Sequence, residues 1–356
     1  MNITFLIGNG FDLNLGLDTR YSDFLEVYKN TDSNGDKKLE YFKNSVLKDD
    51  KLWSNAEIAF GKSTEKFKKD GYNAEEFCDC HENFCVELAK YLLEQEQRLN
   101  YTKLNDLLCK GLISGLLNYK KGFREEEAEA ITSPENSFAG GKSFNFINFN
   151  YTQTLDLCVY GVKQKKGSLG TRVHSRTNYE NVIGNLLHIH GTVHKDMVLG
   201  VNDTSQIADM SLFDGYDDEY ISEIIKPRTN AVNQENIETK VDALLNSSDV
   251  IYVYGMSIGA TDCLWWNKIC ELMKKKKNLH LIVHAFDAPE DGLIRRAFRM
   301  FTKKYKKAIT AYCDFEDEEK DDIESRIHVD RTNIFEGLKD LVNNVANQKS
   351  EELITA

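Results

Sequence analysis

Apolar positions along the chain switch between short unbroken runs and a spacing of three to four residues. The switch recurs often enough to predict a sheet interleaved with helices. Ile3 to Ile7 reads as a buried strand that breaks into Gly8-Asn9-Gly10. Tyr21, Phe24, Leu25 and Tyr28 then fall at i, i+3, i+4 and i+7, one helical stripe with Thr19 as its expected N-cap and Asp23 in its first turns. From about residue 36 to 130 the pattern is helical without strong strand signals. Phe77, Phe84, Leu88 and Leu92 mark one long amphipathic helix, and Leu104, Leu107, Leu108 and Leu112 another. This stretch reads as a helical insertion after the first strand, closed by a polar segment from Glu125 to Lys142.

The strand rhythm then resumes. Phe144 to Phe149 and Val182 to Ile189 are expected strands, and Met197 to Val201 is a short apolar run. Residues 161–181 and 203–236 are polar and read as loops, either able to serve as a lid. Further on, a helix carries Ile237, Val241, Leu244 and Leu245, and a strand runs from Val250 to Tyr254. A helix starting near Asp262 buries Trp265, Ile269, Leu272 and Met273, and a strand runs from Leu281 to Phe286. A helix after Pro289 carries Ile294, Ala297, Phe298 and Phe301. The last helix carries Phe335, Leu338, Leu341, Val342 and Val345. Alternation of this kind predicts one α/β domain over 1–356, a Rossmann-like parallel sheet with helices on both faces. No internal repeat is evident.

Composition narrows the class. The chain has 356 residues, 41% hydrophobic and 29% charged, a globular balance. A formal net charge of -12 argues against general nucleic-acid binding, although a local basic patch is compatible with it. Eight cysteines lack a framework spacing, and no run reaches membrane length. Reduced thiols, a cytoplasmic location and no membrane partner are therefore expected.

Ligands of open parallel sheets bind beyond the carboxyl ends of the strands. After the five expected strands come Gly8, Asn9, Gly10 and Asp12; then Asn150, Tyr151 and Thr152; then His190 and Gly191; then Gly255, Ser257, Gly259 and Asp262; and finally Asp287. The Gly8-Asn9-Gly10 turn lets backbone approach a phosphate, with the helix beginning near Thr19 adding its dipole. It equally suits an ordinary tight turn, because Leu13 stands where the dinucleotide fingerprint has its third glycine. His190 suits a general base or a hydrogen-bonded structural histidine. His188, His190 and His194, with Asp12 and Asp262, form a possible ligand set for a metal-dependent nuclease or phosphatase, without matching spacing. Cys78, Cys80, His81 and Cys85 share helix positions with Phe84 and Leu88 and read as core. The basic stretches 274–277 and 303–307 read as solvated helix ends, and the acidic run 314–322 as a surface loop.

At these motifs the sequence resembles the bacteriophage abortive infection AbiH family. The resemblance is carried by Phe5 through Leu13, Gly16-Leu17, Thr19, Tyr21 to Phe24, Trp53 with Glu57, Phe149-Asn150-Tyr151-Thr152, His190-Gly191, and Gly255-Met256-Ser257 with Asp262. It implies a bacterial defence protein that halts an infected cell, held off until a phage-derived trigger or homo-oligomer assembly releases it. A more distant resemblance is to the sirtuin-like NAD-binding fold of defence NADases. That resemblance assigns Gly8 and Gly10 to the dinucleotide loop, Asn150 to orienting ribose or water, His190 to the base and Ser257 to a late cofactor contact. Asn9 and Phe11-Asp12 depart from its first loop and Thr152 from its second, with Asp12 as a substitute carboxylate. No zinc module has a counterpart, so deacylation is not expected.

The resemblance thus implies hydrolysis of the nicotinamide–ribose bond of NAD by Asp12, Asn150 and His190. Gly8, Asn9, Gly10, Phe11, Tyr151, Thr152, Gly255, Ser257 and Asp262 would hold the nucleotide. A non-catalytic sensor of NAD or ADP-ribose uses the same pocket, and a scaffold binding partners through its helical insertion needs none of this chemistry.

Overall fold

Six parallel strands form the centre of the molecule, and their order explains where a ligand can enter. The computed structural model describes residues 1–47, 56–99, 101–134, 138–165, 168–233, 236–259, 263–288 and 295–344. β1 (Asn2–Ile7) is buried from Ile3 onward and pairs with β2 (Ser143–Asn148) on one side and β6 (Val250–Tyr254) on the other. β5 (Val182–His188) lies outside β2; β7 (His280–His284) and then β8 (Ile327–Asp330) lie outside β6. The sheet order is therefore β5-β2-β1-β6-β7-β8. The chain starts in the middle, winds out to one edge, crosses back, and winds out to the other. That is the doubly wound order of dinucleotide-binding sheets, with its switch point between β1 and β6.

Strand residues point alternately to the two faces, so one strand feeds two cores. Ile3, Phe5 and Ile7 join Phe144, Phe146 and Tyr252 in a cluster covered by α1 (Gly10–Leu15), α6 (Tyr101–Leu117) and α8 (Thr154–Gln164). Leu6, Ile147, Ile251, Val253, Leu281 and Val283 face the other way. They lie beneath α11 (Ile237–Ser247), α12 (Cys263–Lys275) and α13 (Arg295–Thr310), with α14 (Asp317–Ser325) adding Ile323. A third cluster lies apart from the strands. It joins α2 (Tyr21–Tyr28), α3 (Lys37–Leu47), α4 (Ala56–Lys69) and α5 (Ala74–Gln97) to Leu199, Val201, Leu212, Phe213, Ile221, Ile224 and Ile225. Cys78, Cys80 and His81 are buried in this layer, and burial pushes the His81 imidazole down to about 4. Leu104, Leu108 and Leu112 pack on the sheet instead.

Several local expectations change. The first helix begins at Gly10, straight out of the glycine turn, and Arg20 rather than Thr19 occupies the N-cap of α2. The Asp23 carboxylate accepts from the Arg20 N–H at 3.1 Å, in place of the expected threonine cap. The polar segments are more ordered than loops. Residues 125–142 hold α7 (Glu125–Thr132), and 161–181 hold a hairpin of β3 (Thr171–His174) and β4 (Thr177–Glu180). Residues 203–236 hold α9 (Asp218–Glu223) and α10 (Lys226–Asn233), and part of the acidic run is α14. β7 ends at His284, leaving Phe286 exposed. β8 was not anticipated, because four residues alternating Ile327-His328-Val329-Asp330 are too few to establish a period. Near the C-terminus a 3₁₀ turn, Glu336–Leu338, stands where the last helix was expected to start. Pro289, Ile294 and Val345 lie outside the described residues. No helix among the described residues is long and apolar enough to cross a membrane.

Candidate functional site

The loops leaving β1 and β6 meet at the switch point, backbone against backbone. Gly8 N–H donates to the Tyr254 carbonyl at 2.9 Å and Gly10 N–H to the Gly255 carbonyl at 3.0 Å. A Cβ on Gly10 would lie 2.4 Å from Gly255 Cα, and Gly255 itself has φ +70°. The close approach that these glycines permit is therefore to each other, which is reason enough for their presence. Phe11 turns into the core, edge-on to Phe335 at 5.3 Å, and is fully buried. Asn9 closes the loop that follows: its Nδ2 donates to the Thr19 carbonyl at 2.9 Å, and the Thr19 hydroxyl donates to its Oδ1 at 2.6 Å.

A cleft of about 480 Å³ opens beside this junction, within the range of small-molecule sites. Gly8, Asn9, Asp12, Asn150, Tyr151, Thr152, His190, Gly255 and Ser257 all line it. The four strand-end loops thus converge on one cavity. Gly10 lies behind the junction, and Asp262 and Trp53 lie outside the described residues.

Asp12 is buried on the first turn of α1 and accepts hydrogen bonds from the hydroxyls of Thr152, at 2.5 Å, and Thr154. Burial pushes its carboxyl up to about 6, against the lowering effect of the two hydroxyls, and the Glu96 carboxylate adds to the rise. The Asn-Tyr-Thr loop is therefore tied to the glycine loop through a carboxylate that is costly to ionise. Asn150 completes the tie, donating from Nδ2 to the Gly8 carbonyl at 3.2 Å. From α5, Glu96 accepts from Gln153 N–H at 2.5 Å and pairs with His194 Nε2 at 2.7 Å.

The three histidines diverge. His188 pairs with Asp156 at 2.9 Å and His194 with Glu96. His190 points into the cleft, with Phe149 and Tyr151 at ring distances of 6.0 and 6.4 Å. No group of three or more His, Cys, Asp or Glu side chains among the described residues is placed to hold a metal. His190 Nδ1 is buried and has no hydrogen-bond partner among the described residues. Burial, and then the nearby Lys226 ammonium, hold this imidazole well below its usual range, so it is neutral at physiological pH.

The opposite wall comes from the helical layer, and sequence reasoning missed most of it. Lys226, opening α10, pairs with Glu57 of α4 at 2.6 Å, both side chains largely buried. The Tyr151 hydroxyl donates to the Val198 carbonyl at 3.2 Å; burial raises the Tyr21 and Tyr151 phenols well above their ordinary range, and Glu57 adds to the push. Glu57 had a signal in the motifs quoted above. Lys226 had none, because a lysine before Pro227 in a polar stretch looks like any solvated side chain.

With this geometry in view, the family comparison is informative: residues 4–284 match the family model described as Bacteriophage abortive infection AbiH. No curated protein matches the chain.

Proposed function

Because the chain belongs to the bacteriophage abortive infection AbiH family, we propose that its cleft takes NAD and breaks the bond between nicotinamide and ribose. Family membership places the protein in abortive infection; the ligand and the reaction are our reading. The observation that carries it is the meeting of the Gly8 and Gly255 loops at the switch point of a β5-β2-β1-β6-β7-β8 sheet, beside a cleft of suitable size.

Departure of nicotinamide leaves positive charge on the ribose, as in other glycosidic cleavages. Asp12, once ionised, is the carboxylate that stabilises that charge from the side of the Thr152 loop, with Glu57 on the opposite wall. Asn150 presents its amide at the mouth of the Gly8 turn to position the ribose. His190 is neutral and hard to protonate, which suits it to orient a hydroxyl or water by hydrogen bonding rather than to store a proton. Purified protein incubated with NAD is expected to release nicotinamide, and His190→Ala and Asp12→Asn to release far less. Absence of release under every activating condition, with the variants matching wild type, would refute hydrolysis.

One observation favours a second reading, a nucleotide sensor without turnover: both Asp12 oxygens are already engaged by Thr152 and Thr154. For a sensor, NAD or ADP-ribose raises the melting temperature while the nicotinamide stays attached.

A further inference from the structure

Helix α13 is strongly basic. Its sequence holds seven Lys or Arg and no Asp or Glu, in a chain of formal net charge -12. The dipole favours cations in the last turn, so Lys307 needs no further account. Arg296 and Arg299 lie toward its other end. Arg296, Arg299, Lys303, Lys304 and Lys307 are exposed, and at 100° per residue they form one stripe. Tyr305 and Ile309, on the opposite side, pack toward the core. Among the described residues none of the five pairs with a carboxylate, whereas neighbouring Lys274 and Lys277 pair with Glu319 and Asp322 at 2.9 and 2.8 Å.

Beside this stripe lies its complement. Asp314, Glu316, Asp317, Glu318 and Asp321 are exposed at the start of α14, and no cation pairs with them among the described residues. Acids at a helix N-terminus are ordinary; the cations of α13 are what need a partner. An extended polyanion that neutralised the stripe would run onto this acidic row and onto an otherwise strongly acidic molecule. A second copy of the chain brings five acids for five cations.

We propose that α13 of one copy docks on the 314–321 row of another. Because α13 and α14 pack side by side, a two-fold axis between them satisfies both rows at once, which makes the contact an isologous dimer.

The test is sedimentation velocity of the full chain at two ionic strengths, about 0.1 M and about 1 M, where the screening length falls from about 10 to about 3 Å. A dimer at low salt that dissociates at high salt is expected. Arg296→Glu with Arg299→Glu and Lys303→Glu should be monomeric at both, with an unchanged melting temperature. Adding Glu316→Lys, Asp317→Lys and Glu318→Lys to that variant should restore the dimer by exchanging the two charges. A wild type monomeric at low salt, or a dimer that survives the reversal, overturns the proposal. So does a monomer that binds a DNA duplex or phosphatidylserine vesicles through the same stripe, since that assigns the cations to a polyanion.

Discussion

Asp12 carries the sharpest consequence at the scale of single residues. Its folded carboxyl is pushed up to about 6 from an ordinary value of 3.8, because burial penalises the charge more than two hydroxyls relieve it. A raised folded pKa means that its contribution to stability is fully present below about pH 4 and is lost as pH rises through 6. The loss is at most about 3 kcal/mol by linkage. Asp12→Asn removes the penalty and keeps a group able to bond Thr152 and Thr154. It should raise the melting temperature at pH 7.5 and little or not at all near pH 4, while reducing turnover. A variant less stable than wild type at both pH values would make Asp12 only a structural acceptor. Gly10 makes the opposite kind of prediction. An alanine there drives Cβ into Gly255 backbone that cannot give way. Gly10→Ala should cost about 1–3 kcal/mol or more, read from the urea midpoint. A neutral result would mean that the two loops can part freely.

At the scale of elements, the buried Glu57–Lys226 pair joins α4 to α10 within the helical wall of the cleft. Removing one partner strands a buried charge, so Lys226→Met alone should destabilise by about 3–5 kcal/mol, and adding Glu57→Gln should recover much of it. Denaturant melts of the two single variants and the double variant measure the coupling; additive losses would show that the pair does not act as a unit. The segment 203–236 reads as a loop from its polar sequence, yet it is folded into short helices, with Leu212, Phe213, Ile221 and Ile224 buried against α4 and α5. Single apolar residues in short helices leave no periodicity to detect, which is why these elements were not visible beforehand.

At the scale of the molecule, the cleft lies between a sheet-based body and a helical layer, so a bound nucleotide should link them. NAD at 100 times its dissociation constant should add about 2.7 kcal/mol to the stability of the whole unit. It should also slow proteolysis in the helical layer and in the sheet body alike. Thermal melts with and without NAD, followed by limited digestion, check this. Protection confined to one part would separate the cleft from the contact between them.

Much of the frame was legible because it rests on local physics. Unbroken apolar runs such as Ile3–Ile7 and Val250–Tyr254 must be buried on both sides, and helical stripes such as Phe77 to Leu92 must cover something. Strand ends therefore announced the Gly8, Asn150, His190 and Gly255 loops, and the motif string around them carried the family. Distance in space was not legible. Which loops touch depends on strand order, and strand order follows from how two faces of one sheet are covered at once. Only the folded chain brings Gly10 against Gly255, engages Asp12 with Thr152 and Thr154, and sets Lys226 and Glu57 opposite His190, because those contacts join residues far apart along the chain.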